Sequence, residues 1–232
     1  MKKILLIGLF LFIYKLNAQT QEIIVSTGTL FHDSRKIPAK EVMVNGKPEE
    51  ALANFRSLLS KQYKVKSKIK KGTLEAKGAL INGLIDKRGD LTVTSDAVGE
   101  QTLVKAAFAL GYDIIISEEN YAEDFEKLGI LVTRFAKNHQ LAQLQAMLKA
   151  QKKELKDKEK LLSTEQSALK TYERQLKSLK KSGNADKLQV ELTEQKVNTS
   201  KELIDIQKSA VKDLKNLVDK TEATIKQIKA KL

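Results

Sequence analysis

Residues 141–176, LAQLQAMLKAQKKELKDKEKLLSTEQSALKTYERQL, decide the fold, because a leucine stands at every seventh position. From residue 190 onward a second series of apolar, mostly β-branched residues keeps the same spacing. A seven-residue repeat of this length is typical of helices that supercoil against a partner. The two series are Leu141, Leu148, Leu155, Leu162, Leu169 and Leu176, and then Val190, Val197, Ile204, Val211, Val218, Ile225 and Leu232.

The residues between the two series favour a reversal of the chain. Gly183 and Asn184 tolerate a left-handed backbone and suit a helix end, and Asp186 suits the next helix start. If the chain turns near residue 183, facing residues such as Leu155 and Val211 have numbers that add up to 366. Each leucine then faces a β-branched residue to within about half a heptad. We predict an antiparallel helical hairpin with arms at about 120–181 and 186–231.

The second core position of each heptad is weaker. Three residues after the leucines come Gln151, Lys158 and Glu165, so the seam is apolar at both ends of the first arm and polar in its middle. Lysine stems can cover part of such a seam while their charges stay in water. Two uses stay open: closure of the hairpin by another helix, a second copy or a client protein, or service as a stiff spacer.

Residues 1–18 have the three-part layout of a secretory signal peptide. Lys2 and Lys3 precede an eleven-residue apolar run, and the small Ala18 stands before Gln19. The run is shorter than the ~20 residues that cross a bilayer, so we expect no transmembrane segment after cleavage. The mature chain would start at Gln19 in the periplasm or outside the cell. The sequence has no cysteine, which excludes disulfides, thiolate metal sites and lipid attachment through a thiol.

Residues 19–118 predict a small α+β domain. Residues 22–31 and 40–44 are β-rich and are separated by a polar stretch that contains Pro38. Pro48 suits the first turn of a helix, and apolar residues at helical spacing extend that helix through about Gln62. Further strands are predicted at residues 64–70, 74–81 and 90–97, with a turn at 86–89 before the last.

Residues 101–110 fit either a strand or a helix that ends at Gly111, and we favour the strand, with a turn at 98–100. Asn120 then caps a helix that continues into the first arm. The predicted fold class is therefore α+β, a small antiparallel sheet with one packed helix followed by a coiled-coil hairpin at residues 119–232.

The formal net charge is +13, of which residues 138–232 carry +8 and residues 19–137 only +2. The most distinctive surface feature is a row of four lysines at every second position of residues 64–70, which would place four ammonium groups on one face of a strand. It would suit an anionic envelope component such as lipid head groups or glycans. The alternative is a solvated face, or a sheet edge that lysine protects against mispairing. Aromatic residues are too sparse for nucleic-acid stacking, so nucleic acid is an unlikely partner. The row is Lys64, Lys66, Lys68 and Lys70.

The sequence offers no catalytic, cofactor or metal site that we would assign. His32, Asp33 and Ser34 have the residue types of a catalytic triad, but contiguous side chains point apart. His139 has no histidine or carboxylate at helical spacing. The tripeptide at residues 88–90, Arg-Gly-Asp, suits a turn. We therefore expect a protein that is not an enzyme.

The motifs at residues 74–81, 107–112 and 115–117 resemble those of a family of uncharacterised exported proteins from Bacteroidetes-type bacteria. That family combines a small β-rich domain with a C-terminal hairpin, and the resemblance implies no activity. Our main expectation is an exported protein whose hairpin binds a protein partner or a second copy. One alternative is a holdase chaperone, since the basic charge and long arms resemble Skp-type periplasmic chaperones, although there the arms are inserted within the body. A second is polyanion or membrane-surface binding through the lysines.

Overall fold

The computed structural model describes residues 22–32, 35–111, 114–182 and 186–230. The predicted signal peptide lies outside the described residues, and so do residues 183–185 of the predicted turn. The chain forms two compact units, and the boundary between them falls after Ala142. We describe the first unit as the body and the second as the hairpin.

The body contains a six-stranded antiparallel sheet with the strand order β1-β2-β6-β5-β4-β3. Helix α1 follows β2 and starts at Pro48, as its sequence predicts. Two long helices, α2 and α3, complete the chain and pack together, so the predicted α+β class is confirmed. The elements are β1 (Val25–His32), β2 (Arg35–Asn45), α1 (Pro48–Gln62), β3 (Lys68–Lys70), β4 (Thr73–Ile81), β5 (Ile85–Val98), β6 (Gln101–Ala109), α2 (Ala122–Lys181) and α3 (Lys187–Ala230).

Strand β2 continues through the stretch that we expected to separate two strands. Pro38 pairs with Thr29 of β1, and the ladder between β2 and β6 begins only at Lys40. Pro38 lacks an amide hydrogen, but at this point β2 has no neighbour on the β6 side that would need it. A proline near the end of a strand is therefore compatible with its continuation, and the predicted break is wrong.

The turn that we predicted at residues 86–89 is also displaced. The chain turns at residues 82–84, where Gly83 has a φ of 75°, and β5 already begins at Ile85. Gly89 lies inside β5, and a Cβ added there would stand 2.3 Å from the carbonyl oxygen of Ala109. The glycine thus permits close approach of two strands. The Arg-Gly-Asp tripeptide belongs to a strand and not to a turn.

The ambiguous residues 101–110 form a strand, as we favoured. Strand β6 lies between β2 and β5, and a turn at residues 99–100, with Gly99 at a φ of 63°, connects it to β5. Val104, Ala106 and Phe108 alternate along it and are fully buried. The alanines of this stretch serve as small core residues of a central strand.

One apolar core joins the sheet, α1 and the first turns of α2. Phe55 of α1 stacks on Phe135 of α2 with ring centroids 4.6 Å apart. Phe125, Leu128 and Val132 of α2 are fully buried in the same cluster. Because these turns complete the core, the body extends to Ala142, beyond the boundary that we predicted at residues 118 and 119.

His139 is a structural residue of this core, with 1% of its surface exposed. Its Nε2 lies 2.7 Å from the carbonyl oxygen of Asn45, and its Nδ1 lies 2.8 Å from Nδ2 of Asn54. A carbonyl oxygen only accepts, so Nε2 carries the hydrogen, and Nδ1 accepts from the Asn54 amide. Both ring nitrogens are occupied by protein partners.

The described residues of the hairpin are 143–182 and 186–230, which form the later turns of α2 and all of α3. The observed ends of these helices lie within two residues of the predicted arms. Across the described ranges, none of the helices combines the length and the apolar character that crossing a bilayer requires.

Candidate functional site

The heptad residues of α3 are more deeply buried than those of α2. Val197, Ile204, Val211, Val218 and Ile225 of α3 are all buried. The remaining predicted interface residues are only partly buried, namely Leu141, Leu148, Leu155, Leu162, Leu169, Leu176 and Val190. Within the hairpin, therefore, the leucine series of α2 keeps part of its apolar surface in solvent.

Four lysine–glutamate ion pairs connect α2 and α3 along one flank of the hairpin. In every pair the two residue numbers add up to 374, so one antiparallel register holds along the hairpin. Half-exposed pairs of this kind are each worth about 0.2–1 kcal/mol, so they fix the register more than they stabilise it. The pairs and their Nζ–Oε1 distances are Lys152–Glu222 (2.6 Å), Lys215–Glu159 (2.9 Å), Lys201–Glu173 (3.7 Å) and Lys180–Glu194 (2.7 Å).

Helical side chains lean toward the N-terminus of their own helix. In an antiparallel pair, two long side chains therefore meet when each residue lies somewhat further toward the C-terminus of its helix than the level at which they touch. For two seam residues at the same level, the residue numbers then add up to less than the 374 of the ion pairs. This direction agrees with our predicted sum of 366, while the offset itself stays a prediction.

The seam contains buried polar groups, and two of them lack partners. Gln151 is 4% exposed, and neither atom of its amide has a hydrogen-bond partner within the described residues. The Oε1 of Gln207 is also unpaired. In contrast, buried Thr193 and Thr221 donate to backbone carbonyls of their own helix. Each unpaired buried amide costs about 1–3 kcal/mol, so Gln151 and Gln207 weaken the seam where they lie.

The flank opposite the ion pairs is apolar, and we call it the apolar flank. It consists of two columns of positions on each helix. One column lies one residue before each heptad residue, and the other lies three residues after that, one helical turn further from the seam. Leu161 is 46% exposed, Leu203 is 39% exposed and Ile206 is 56% exposed. The apolar flank comprises Met147, Leu161 and Ala168 of α2 and Leu192, Leu203, Ile206, Ala210 and Leu217 of α3.

The charge of the hairpin avoids the apolar flank. Nineteen basic residues lie between residues 147 and 227, and only Lys196 and Lys220 fall on the columns of this flank. On the same columns the acidic residues are Glu154 and Asp157 of α2 and Asp213 of α3. The positive charge of the hairpin therefore lies mainly on its other faces. A partner that binds the apolar flank does not need to be acidic.

The four lysines of the predicted row lie at a cleft of the body, which we call the basic cleft. The predicted strand at residues 64–70 is shorter than expected, since β3 begins at Lys68. Residues 64–67 are irregular because the amide of Val65 donates back to the carbonyl of Leu59, and Lys64 takes a φ of 57°. The cleft has a volume of about 840 Å³. It is lined by Lys64, Lys66, Lys68 and Lys70 and by Arg56, Ser60, Val65, Ser67, Glu75 and Lys77.

Two of the six cations of the basic cleft were not predicted from the sequence. Arg56 lies on α1 and Lys77 on β4, so neither belongs to the alternating row. Residues 56–77 carry eight basic side chains and one acidic side chain, whereas the average over residues 19–137 is almost neutral. A shorter window for counting charge would have identified this cluster.

The acidic residues near the start of α2 are engaged in structural contacts. Asp124 accepts from Lys87 at 2.5 Å, and Glu126 accepts from the buried Lys40 at 2.7 Å. A hydrogen bond to Glu123 raises the pKa of Lys127 above its usual value. The described residues contain no cluster of side chains that could hold a metal ion.

Comparison of the chain with models of protein families, with curated proteins and with solved structures found no match.

Proposed function

We propose that this chain is an exported, non-enzymatic protein whose hairpin binds a second copy of itself through the apolar flank. One observation carries the proposal: four ion pairs close one flank of the hairpin, while the other leaves leucine and isoleucine side chains in solvent. Two such flanks in contact would form an antiparallel four-helix arrangement, in which each hairpin covers the half-exposed leucines of the other.

The distribution of charge favours a second copy as the occupant. Residues 138–232 carry +8, so two hairpins repel each other unless they meet through a face with few lysines. The apolar flank is that face. Glu154 lies toward the base of the hairpin and Lys196 toward its tip, so an antiparallel two-fold arrangement brings each glutamate to the height of the other copy's lysine.

The length of the hairpin is sufficient for a stable contact. Helix α3 has 44 residues, which corresponds to about 66 Å. Burying a fully exposed leucine or isoleucine gains about 1.5–3 kcal/mol. Four residues of this flank, Leu161, Leu192, Leu203 and Ile206, are between 39% and 56% exposed. Summed over both copies, these gains exceed the cost of association by only a small margin, so we expect the dimer to form at high micromolar concentration.

The test is the mass in solution of the chain from residue 19 onward, measured by sedimentation at micromolar concentrations. We expect a dimer for the parent protein and a monomer for the variant Leu161→Glu with Leu203→Glu. Leu188→Glu is the matched control, because Leu188 is exposed on α3 outside the apolar flank and its substitution should leave the dimer intact.

A parent protein that stays monomeric at high micromolar concentration would overturn self-association. If that monomer suppressed aggregation of an unfolded outer-membrane protein through the same flank, the holdase interpretation would replace it.

A further inference from the structure

We propose that the basic cleft of the body binds a compact molecule that carries two or more phosphate groups. Phosphate is the anion that a set of lysines and one arginine recognises best, because arginine binds two of its oxygens at once and lysines add point charges. The cleft lies within the body, so this proposal does not depend on the association of hairpins.

The cations of the basic cleft converge from four different elements. Arg56 comes from α1, Lys64 and Lys66 from the irregular segment, Lys68 and Lys70 from β3, and Lys77 from β4. Protection of a sheet edge accounts for lysines on β3, which is the edge strand. It does not account for the cations on the helix, on the segment before the strand or on β4. Their convergence on one volume is what an anion site requires.

These cations also lack the carboxylate partners that other lysines of the body have. Lys40, Lys87 and Lys105 each lie within 4.0 Å of a carboxylate oxygen. Among the described residues, no carboxylate forms an ion pair with any of the six cations of the cleft, which Glu75 lines as the single acidic residue. Six like charges around one space repel each other, and a multiply charged anion would relieve that repulsion.

Neutral donors complete the basic cleft. The Oγ of Ser67 is buried at its wall and has no hydrogen-bond partner within the described ranges. Ser60 contributes a second hydroxyl group. Buried hydroxyl groups in proteins are usually paired, but this oxygen is closed to solvent, so Ser67 adds to the polar wall of the cleft and the cations carry the proposal.

The size and the lining of the cleft limit the class of ligand. A volume of about 840 Å³ lies within the range of small-molecule sites. None of the described residues that line it is aromatic, whereas single-stranded nucleic acid is usually held by stacking. The ligand is therefore a compact phosphate cluster, either free or as the head group of a lipid.

The experiment uses the chain from residue 19 onward, with sodium tripolyphosphate as the free probe, in calorimetric titration. Vesicles of phosphatidylcholine with and without cardiolipin, whose head group carries two phosphates, form the second arm. We expect binding in at least one arm, and an affinity that falls steeply as salt is raised, since the attraction is screened. Competition of tripolyphosphate with cardiolipin vesicles would show that both use the cleft.

The variant Arg56→Gln with Lys66→Gln should weaken binding at least ~tenfold, because two converging charges are removed. Its melting temperature without ligand should be unchanged or higher, since repulsion is relieved, and a purely structural role would lower it. Lys212→Gln with Lys226→Gln is the matched control, since it removes the same charge from the hairpin and should bind as the parent does.

Three results would overturn the proposal. One is the absence of binding in both arms. The second is equal affinity of the cleft variant and the control variant, which would assign binding to the general charge of the protein. The third is an affinity that does not change with salt.

Discussion

The body and the hairpin are stabilised in different ways, although one chain builds both. In the body, the aromatic side chains of α1 and α2 are fully buried, and even the buried His139 has partners at both ring nitrogens. In the hairpin, the seam is thin, its leucines are only partly buried, and the buried Gln151 has no hydrogen-bond partner among the described residues. The difference indicates that the body is complete as a single copy, whereas the hairpin leaves apolar side chains that a further helix could cover.

The largest effect should come from breaking the body. Phe135→Ala removes a fully buried ring that stacks on Phe55, and we expect it to lower the free energy of unfolding by about 3–5 kcal/mol. Hydrogen exchange read peptide by peptide should show faster exchange in the sheet. Ile130→Ala is the control on the same helix, because Ile130 is 45% exposed. A loss below about 1 kcal/mol for Phe135→Ala would contradict a closely packed core.

A substitution in the seam of the hairpin should have a smaller effect and should stabilise the protein. Gln151→Leu replaces a buried amide without partners by an apolar side chain, so we expect a gain of about 1–3 kcal/mol. The measurement is thermal unfolding followed by helical circular dichroism, with slower hydrogen exchange expected in residues 143–230. Gln166→Leu is the control, because Gln166 is exposed. Destabilisation by Gln151→Leu would show that this amide has a partner in solution.

The smallest effect should come from the ion-pair flank. A double-mutant cycle with Lys180→Gln and Glu194→Gln should give a coupling of about 0.2–1 kcal/mol that weakens at high salt. The measurement is chemical denaturation of the four proteins at two salt concentrations. A coupling above about 2 kcal/mol would mean that the flank is less exposed to solvent than the side chains indicate.

Periodic features of the sequence predicted much of this fold. The heptad series located the two long helices to within two residues at each end, because every residue of a long helix repeats the same local environment. Pro48 predicted the start of α1 because proline suits a first helical turn. Alternation favoured a strand at residues 101–110, and the structure has β6 there.

The predictions that were wrong or incomplete concern positions whose structure depends on residues far away in the chain. Pro38 is tolerated inside β2 because β6 pairs only from Lys40 onward, and Gly89 lies in a strand because β6 passes close to it. The lysine row was visible in the sequence, but Arg56 and Lys77 reach the same cleft only when α1 and β4 come together in the fold.

By itself, the sequence determined the helical hairpin, the polar middle of its seam and the excess of positive charge, because these depend on composition and on a period that each helix repeats locally. Only the tertiary structure decided which turns of α2 belong to the body and which flank of the hairpin is left without ion pairs. It also decided that six cations share one cleft, because each of these facts depends on which residues, far apart in the chain, are brought into contact.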